Sequence, residues 1–326
     1  MTRIFFLLCL FSLQLSAQPY QTNIPVHDPV MIKQDSVYYL FCTGMGISTW
    51  SSKDMINWKP EKPVFDTLPW AVKTIPGFHN HIWAPDISFH NGLYYLYYSV
   101  SAFGKNTSCI GVATNKTLHP GSADYKWTDH GKVIQSVPGR DMWNAIDPNL
   151  IEDEKGIAWL VFGSFWNGIK LVKLNDNLES VAQPEQWYTV ASRPRNAVLP
   201  DSVAGDAAIE GPFIFKKENY YYLFVSFDYC CRGEKSTYKM VVGRSEKVEG
   251  PYADRDGVPM NLGGGTTVLE GDKNWNGVGH NAVANFYGTD YLIFHGYDAN
   301  DKGKSKLRIE KISWFDGWPF IRRNAN

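Results

Sequence analysis

A fivefold internal repeat restricts this chain more than any other feature. Five short segments rich in Tyr, Phe, Leu, Ile and Val recur along it: VYYLFCTG at 37–44, LYYLYYS at 93–99, IAWLVFGS at 157–164, YYYLFVS at 220–226 and DYLIFHG at 290–296. Most follow a turn such as HNG, DEKG or YGTD. Each precedes another strand-like run: a short GISTWS, then CIGVATN, GIKLVKLN, KMVVGRS and LRIEKISW. Ahead of every aromatic segment lies a motif carrying one polar residue. These are HDPV with Asp28, WAPDI with Asp86, AIDPNL with Asp147, AIEGPF with Glu210 and GHNAV with His280. The polar residues fall roughly 60 positions apart, a period that belongs to repeat architectures. No helical periodicity of useful length interrupts them.

Each unit reads as a small antiparallel sheet that cannot bury both faces alone. Radial stacking of such sheets solves the burial problem and leaves only short edges exposed. The expected fold is therefore all-β: a single five-bladed β-propeller over residues 18–326, with four-stranded antiparallel blades. A doubly wound nucleotide-binding fold is excluded because crossover helices are missing, and the GGG at 263–265 lacks the strand-turn-helix setting of a phosphate loop.

Composition narrows the function classes. The 326 residues carry Lys+Arg 32 against Asp+Glu 33, a net charge of -1, and are 44% hydrophobic and 15% aromatic. That balance excludes a disordered chain and argues against nucleic-acid binding through a basic surface. No organic cofactor motif is present. Residues 1–17, MTRIFFLLCLFSLQLSA, read as an export leader: Arg3 precedes an apolar run, and Leu15-Ser16-Ala17 resembles a cleavage site. The run is too short to span a membrane, so a periplasmic or secreted protein without stable membrane insertion is expected. Cys42, Cys109, Cys230 and Cys231 remain beyond the leader. The adjacent pair admits a vicinal disulfide, a bridge elsewhere, or two thiols.

In a propeller the innermost strands line the axis, so Asp28, Asp86, Asp147, Glu210 and His280 converge although they are far apart in sequence. Gathering carboxylates there costs free energy through repulsion and desolvation. Hydrolysis of a sugar linkage supplies a reason, since one acid protonates the leaving oxygen while a carboxylate activates water on the opposite face. Taken singly, Asp-Pro and Glu-Gly-Pro are ordinary turns. Composition and spacing do not divide the roles among them.

The motifs together resemble glycoside hydrolase family 43, and within it the endo-acting α-1,5-L-arabinanases. The resemblance is carried by His27-Asp28-Pro29, Trp83-Ala84-Pro85-Asp86, Ala145-Ile146-Asp147-Pro148 and Ile209-Glu210-Gly211-Pro212. Gly163-Ser164-Phe165-Trp166, Phe227-Asp228 ahead of Cys230-Cys231-Arg232-Gly233, Ser236-Thr237-Tyr238-Lys239, Gly279-His280-Asn281 and Asp316-Gly317-Trp318-Pro319 extend it over nearly the whole chain. The second glycine common after Trp166 in that family is here Asn167.

The resemblance implies an inverting hydrolase. Asp28 would be the general base, Glu210 the general acid, and Asp147 the group that tunes the protonation and orientation of Glu210. His280 would be the protein ligand of a hydrated metal ion, calcium or another, with an electrostatic and structural role. Trp83, Asp86, Phe103, Ser164, Trp166, Asn167, His295 and Tyr297 would contact substrate, although Trp and Phe also serve as packing between blades. The implied partner is arabinan or an arabino-oligosaccharide, and a monomer suffices because one propeller holds the site. Exo-acting arabinanases, α-L-arabinofuranosidases and β-xylosidases share the scaffold, and a noncatalytic sugar-binding propeller is the alternative from another class.

Overall fold

The aromatic segments become the second strands of five blades. In a computed structural model that describes residues 20–322, these strands are Val37–Cys42, Leu93–Val100, Ala158–Phe162, Tyr220–Phe227 and Thr289–Asp298. Each pairs antiparallel with an inner strand before it and a third strand after it. The inner strands are Val30–Gln34, His81–His90, Asn149–Glu152, Ile209–Lys217 and Trp275–Phe286. The fold is thus the all-β, five-bladed propeller expected from the repeat. The export leader at 1–17 lies outside the described residues.

Why the second strands lack polar alternation follows from their packing. Along Leu93–Val100, Tyr94, Leu96, Tyr98 and Val100 enter the cluster shared with the first blade. Tyr95 and Tyr97 enter the cluster shared with the third. The same division separates Tyr221, Leu223 and Val225 from Tyr222 and Phe224 in the fourth blade. A strand covered on both faces has no solvent side, so both sets of alternating residues are apolar. Five clusters result, one per interface between neighbouring blades.

Ring closure uses a strand that the repeat did not reveal. Tyr20–Pro25 adds to the outer side of Lys304–Phe315 in the fifth blade, with Tyr20 opposite Ile309 and Gln21 opposite Arg308. The first and last strands among the described residues therefore share one sheet, with Trp318–Ile321 paired to the far end of the same strand. The one α-helix among the described residues, Pro69–Thr74, packs Ala71 into the interface of the first two blades. No helix among them is long and apolar enough to cross a membrane.

Candidate active site

Every blade carries a left-handed residue just before its inner strand or within it. These are Asp28 (φ 51°), Ala84 (φ 40°), Asp147 (φ 59°), Gly211 (φ 58°) and His280 (φ 53°). In three blades the register with the second strand skips there, between Trp83 and Asp86, Glu210 and Phe213, and Gly279 and Ala282. Such bulges re-aim side chains, and left-handed backbone at non-glycine residues persists only where the surroundings hold it. Four of the five are followed by proline, at 29, 85, 148 and 212. Proline is tolerated because the inner strand is a sheet edge, except in the second blade, where Gly44–Met45 pairs with His81 and Ile82 ahead of Pro85.

What holds the bulges is a second repeat. The Ala84 N–H donates to Thr43 Oγ1 at 2.8 Å, Asp147 N–H to Ser99 Oγ at 2.9 Å and His280 N–H to Ser226 Oγ at 2.8 Å. Asp28 N–H donates to His295 Nδ1 at 3.1 Å. Each acceptor stands at or near the end of the preceding blade's second strand. The fourth blade departs from the pattern: Gly211 N–H turns to Asp147 Oδ2 at 3.1 Å, which frees Ser164 to donate to Glu210 Oε2 at 2.8 Å. One position in the repeat is thereby converted from a backbone support to a carboxylate partner.

This alignment corrects the one read from the sequence. Ala84, not Asp86, is the counterpart of Asp28, and Glu210 precedes its blade's left-handed residue. Asp86 is buried between blades and does not line the cavity. Its Oδ2 accepts the Leu150 N–H at 2.8 Å and its Oδ1 accepts Asn149 Nδ2 at 3.2 Å. Asn149 Oδ1 in turn accepts the Ile214 N–H at 2.8 Å, so the chain of bonds ties the second, third and fourth blades together.

Asp28, Asp147, Glu210 and His280 meet in one cavity of about 890 Å³. Burial would raise the Asp28 carboxyl, but His27 and His280 outweigh it and hold Asp28 well below the usual carboxylate range. His27 Nδ1 lies 2.8 Å and His280 Nδ1 3.0 Å from Asp28 Oδ1, while Thr43 Oγ1 donates to Oδ2 at 2.6 Å. Asp147 differs. Burial and the neighbouring Glu210 and Asp28 push it up to about 8, against the lowering effect of His280 and the Gly211 N–H. Two carboxyls of one cavity are thus driven apart, the arrangement that assigns different protonation roles. Glu210 is fixed at both oxygens, with Tyr238 donating to Oε1 at 2.7 Å opposite Ser164. The buried Tyr238 hydroxyl is raised well above its ordinary value, chiefly by burial and then by Glu210, so it remains a donor.

Of the residues expected to contact substrate, Trp83, Phe103, Ser164 and Trp166 line the cavity. Phe103 is 81% exposed, whereas Trp166 is buried with its Nε1 donating to Asp201 O at 2.9 Å. Asn167, His295 and Tyr297 do not line it. Asn167 is exposed and donates its backbone N–H to Met142 O. His295 and Tyr297 stand behind His27: His295 stacks on its ring with centroids 3.9 Å apart, and the Tyr297 hydroxyl meets its Nε2 at 2.7 Å. Being wholly buried pulls His295 well below the ordinary histidine range, so it is neutral. Thr43, Ser99, Ser226 and Tyr238 had no role in the sequence reading. The Ser or Thr at the end of the first four aromatic segments was the signal for the first three.

The donor set around His280 fits a metal ligand in one respect. Asp28 engages Nδ1, leaving Nε2 as the ring nitrogen for a cation, the orientation in which a carboxylate steadies a metal-bound imidazole. Among the described residues His280 belongs to no cluster of three or more ligating side chains, so water would supply the other ligands. The adjacent cysteines form a disulfide, Cys230–Cys231, on the cavity wall, and Cys42 and Cys109 are free and buried.

A propeller whose cavity gathers three carboxylates of divergent surroundings beside aromatic walls defines a class of sugar-cleaving enzymes. The family model for Glycosyl hydrolases family 43 matches residues 22–319, and the chain belongs to that family. It is 53% identical over 301 residues, 92% of this chain and 87% of the other, to the extracellular exo-alpha-(1->5)-L-arabinofuranosidase ArbA of Cellvibrio japonicus. With the extracellular endo-alpha-(1->5)-L-arabinanase 1 of Bacillus subtilis it shares 43% identity, covering 91% of this chain and 88% of that one. Its structure resembles that of Cellvibrio cellulosa alpha-L-arabinanase complexed with arabinohexaose, with a TM-score of 0.90, 52% identity, and coverage of 92% and 96%.

Proposed function

We propose that this glycoside hydrolase cleaves α-1,5-linked L-arabinofuranose chains with inversion. The observation that carries the reading is the contrast between Asp28, held ionised by His27 and His280, and Glu210, positioned by Ser164 and Tyr238 in the same cavity. Asp28 accepts a proton from the attacking water, and Glu210 delivers one to the departing glycosidic oxygen. Asp147 binds the Gly211 N–H beside Glu210 and so links the positions of the two side chains. Trp83 and Phe103 offer faces for the apolar sides of the sugar rings. A hydrated cation such as calcium on His280 would add positive charge beside these carboxylates. The names of the Cellvibrio and Bacillus relatives support both the substrate and an exported location, and one propeller is sufficient as a monomer.

Two modes of attack follow from those relatives. Release of short products from a chain end has the support of the higher identity, 53% with the exo-named protein against 43% with the endo-named one. Internal cleavage, expected from the sequence, is the second reading. Chromatography of early products from linear α-1,5-arabinan separates them: one short product from the start marks end attack, and a ladder of sizes marks internal attack. Proton NMR of the first products reports the anomer. A retained anomer contradicts the roles given to Asp28 and Glu210, and failure of Glu210→Gln to suppress turnover contradicts the acid.

A further inference from the structure

The Cys230–Cys231 turn reaches the candidate base through three hydrogen bonds. Cys231, left-handed at φ 64°, donates its backbone N–H to the Tyr297 hydroxyl oxygen at 2.7 Å. With that oxygen accepting, the Tyr297 proton is available to His27 Nε2, also 2.7 Å away. A neutral His27 that accepts at Nε2 carries its own proton on Nδ1, where Asp28 Oδ1 lies at 2.8 Å. Cys231 Sγ closes the group, 3.7 Å from His27 Nε2, and His295 covers one ring face. The His27 imidazole thus has four contacts on three sides, and two of the four, those with Tyr297 and Cys231, involve the disulfide turn.

We propose that Tyr297, held by the Cys230–Cys231 turn, is a positioning residue that sets the tautomer of His27 and thereby the hydrogen bond that orients Asp28. Without the hydroxyl, His27 is free to move its proton to Nε2. Nδ1 then presents a lone pair to the Asp28 carboxylate, and an attraction becomes a repulsion. The disulfide enters because its two-residue ring fixes where the Cys231 N–H points. A dithiol reductant delivers two electrons and two protons, the S–S bond breaks to two thiols, the reductant closes to its own cyclic disulfide, and the turn is released. This inference rests on Asp28 being the base.

The test compares wild type, Tyr297→Phe, the double variant Cys230→Ser/Cys231→Ser, and wild type reduced with dithiothreitol, all on α-1,5-linked arabino-oligosaccharides. Loss of a positioning contact is expected to lower kcat on the order of 10-fold with KM within about twofold. Nitrogen-15 NMR of histidine-labelled protein is expected to show His27 protonated at Nδ1 and bare at Nε2 in wild type, with that preference lost in Tyr297→Phe. Asp28→Asn separates the two layers of the argument. If it retains activity, the base assignment fails. If it is inactive while Tyr297→Phe and the cysteine variant keep wild-type kcat, the positioning role alone is overturned. A change confined to KM, or a wild-type His27 protonated at Nε2 or at both nitrogens under assay conditions, overturns it equally.

Discussion

Replacing Asp86 by alanine separates a stabilising contact from a substrate contact. The carboxylate is 4% exposed and accepts two hydrogen bonds from the third blade. Truncation strands the buried Leu150 N–H, at about 1–3 kcal/mol, and removes one partner of Asn149, for a loss of about 3 kcal/mol while Asp86 is protonated. Ionisation changes this figure. Desolvation, only partly offset by the Leu150 N–H and the Asn149 amide, raises Asp86 from 3.8 to about 6. A carboxyl raised in the folded state stabilises the fold below its unfolded value, and that stabilisation is lost as pH rises through the folded value. The linkage penalty in wild type is about 1.6 kcal/mol near pH 5 and about 3 kcal/mol near pH 8. Asp86→Ala is therefore expected to be less stable by about 1.5 kcal/mol near pH 5 and nearly equal near pH 8. In calorimetry this is a Tm gap of about 2–3 °C that closes as pH rises. Because Asp86 does not line the cavity, KM is expected to stay within about twofold of wild type. A gap that widens toward pH 8, or a tenfold rise in KM with no gap, refutes the reasoning.

Other outcomes follow from the same contacts. Glu210→Gln keeps the size of the side chain but removes the proton donor, and kcat on arabino-oligosaccharides is expected to fall by about 10²–10⁴-fold with the melting temperature nearly unchanged. At Gly279 an added Cβ would come within 2.2 Å of Tyr238 Cδ1, so Gly279→Ala is expected to push the Tyr238 ring off Glu210 and lower kcat more than it raises KM in steady-state assays. Phe103, at 81% exposure, contributes little to folding, and Phe103→Ala is expected to raise KM several-fold, by roughly 1 kcal/mol of lost ring stacking, with an unchanged unfolding curve. Removal of metal by a chelator tests His280: if a cation acts there, activity falls, returns with added calcium, and is insensitive to the chelator in His280→Ala.

The propeller was legible because its cause is local. A strand buried on both faces must be apolar at every position, and five such strands at a regular spacing leave few ways to cover them all. Asp28, Asp147, Glu210 and His280 were also readable, since each stands in a motif that opens an inner strand. Asp86 was misplaced because the motif WAPDI puts its carboxylate two residues beyond the left-handed position, and a bulge decides which side chains reach the axis. Local sequence does not specify that register shift, which depends on the Thr43 hydroxyl of the preceding blade. His295 and Tyr297 illustrate the same limit. Both are expected from the sequence to contact substrate, and only the juxtaposition of the fifth blade with the first sets them behind His27 instead. The sequence by itself determined the number of blades and the acids at their inner ends, because burial patterns repeat along the chain. Which acids face the cavity, and what charge surrounds each, was decided by contacts between residues up to 267 positions apart, as between Asp28 and His295. Only tertiary structure brings such groups within hydrogen-bonding range.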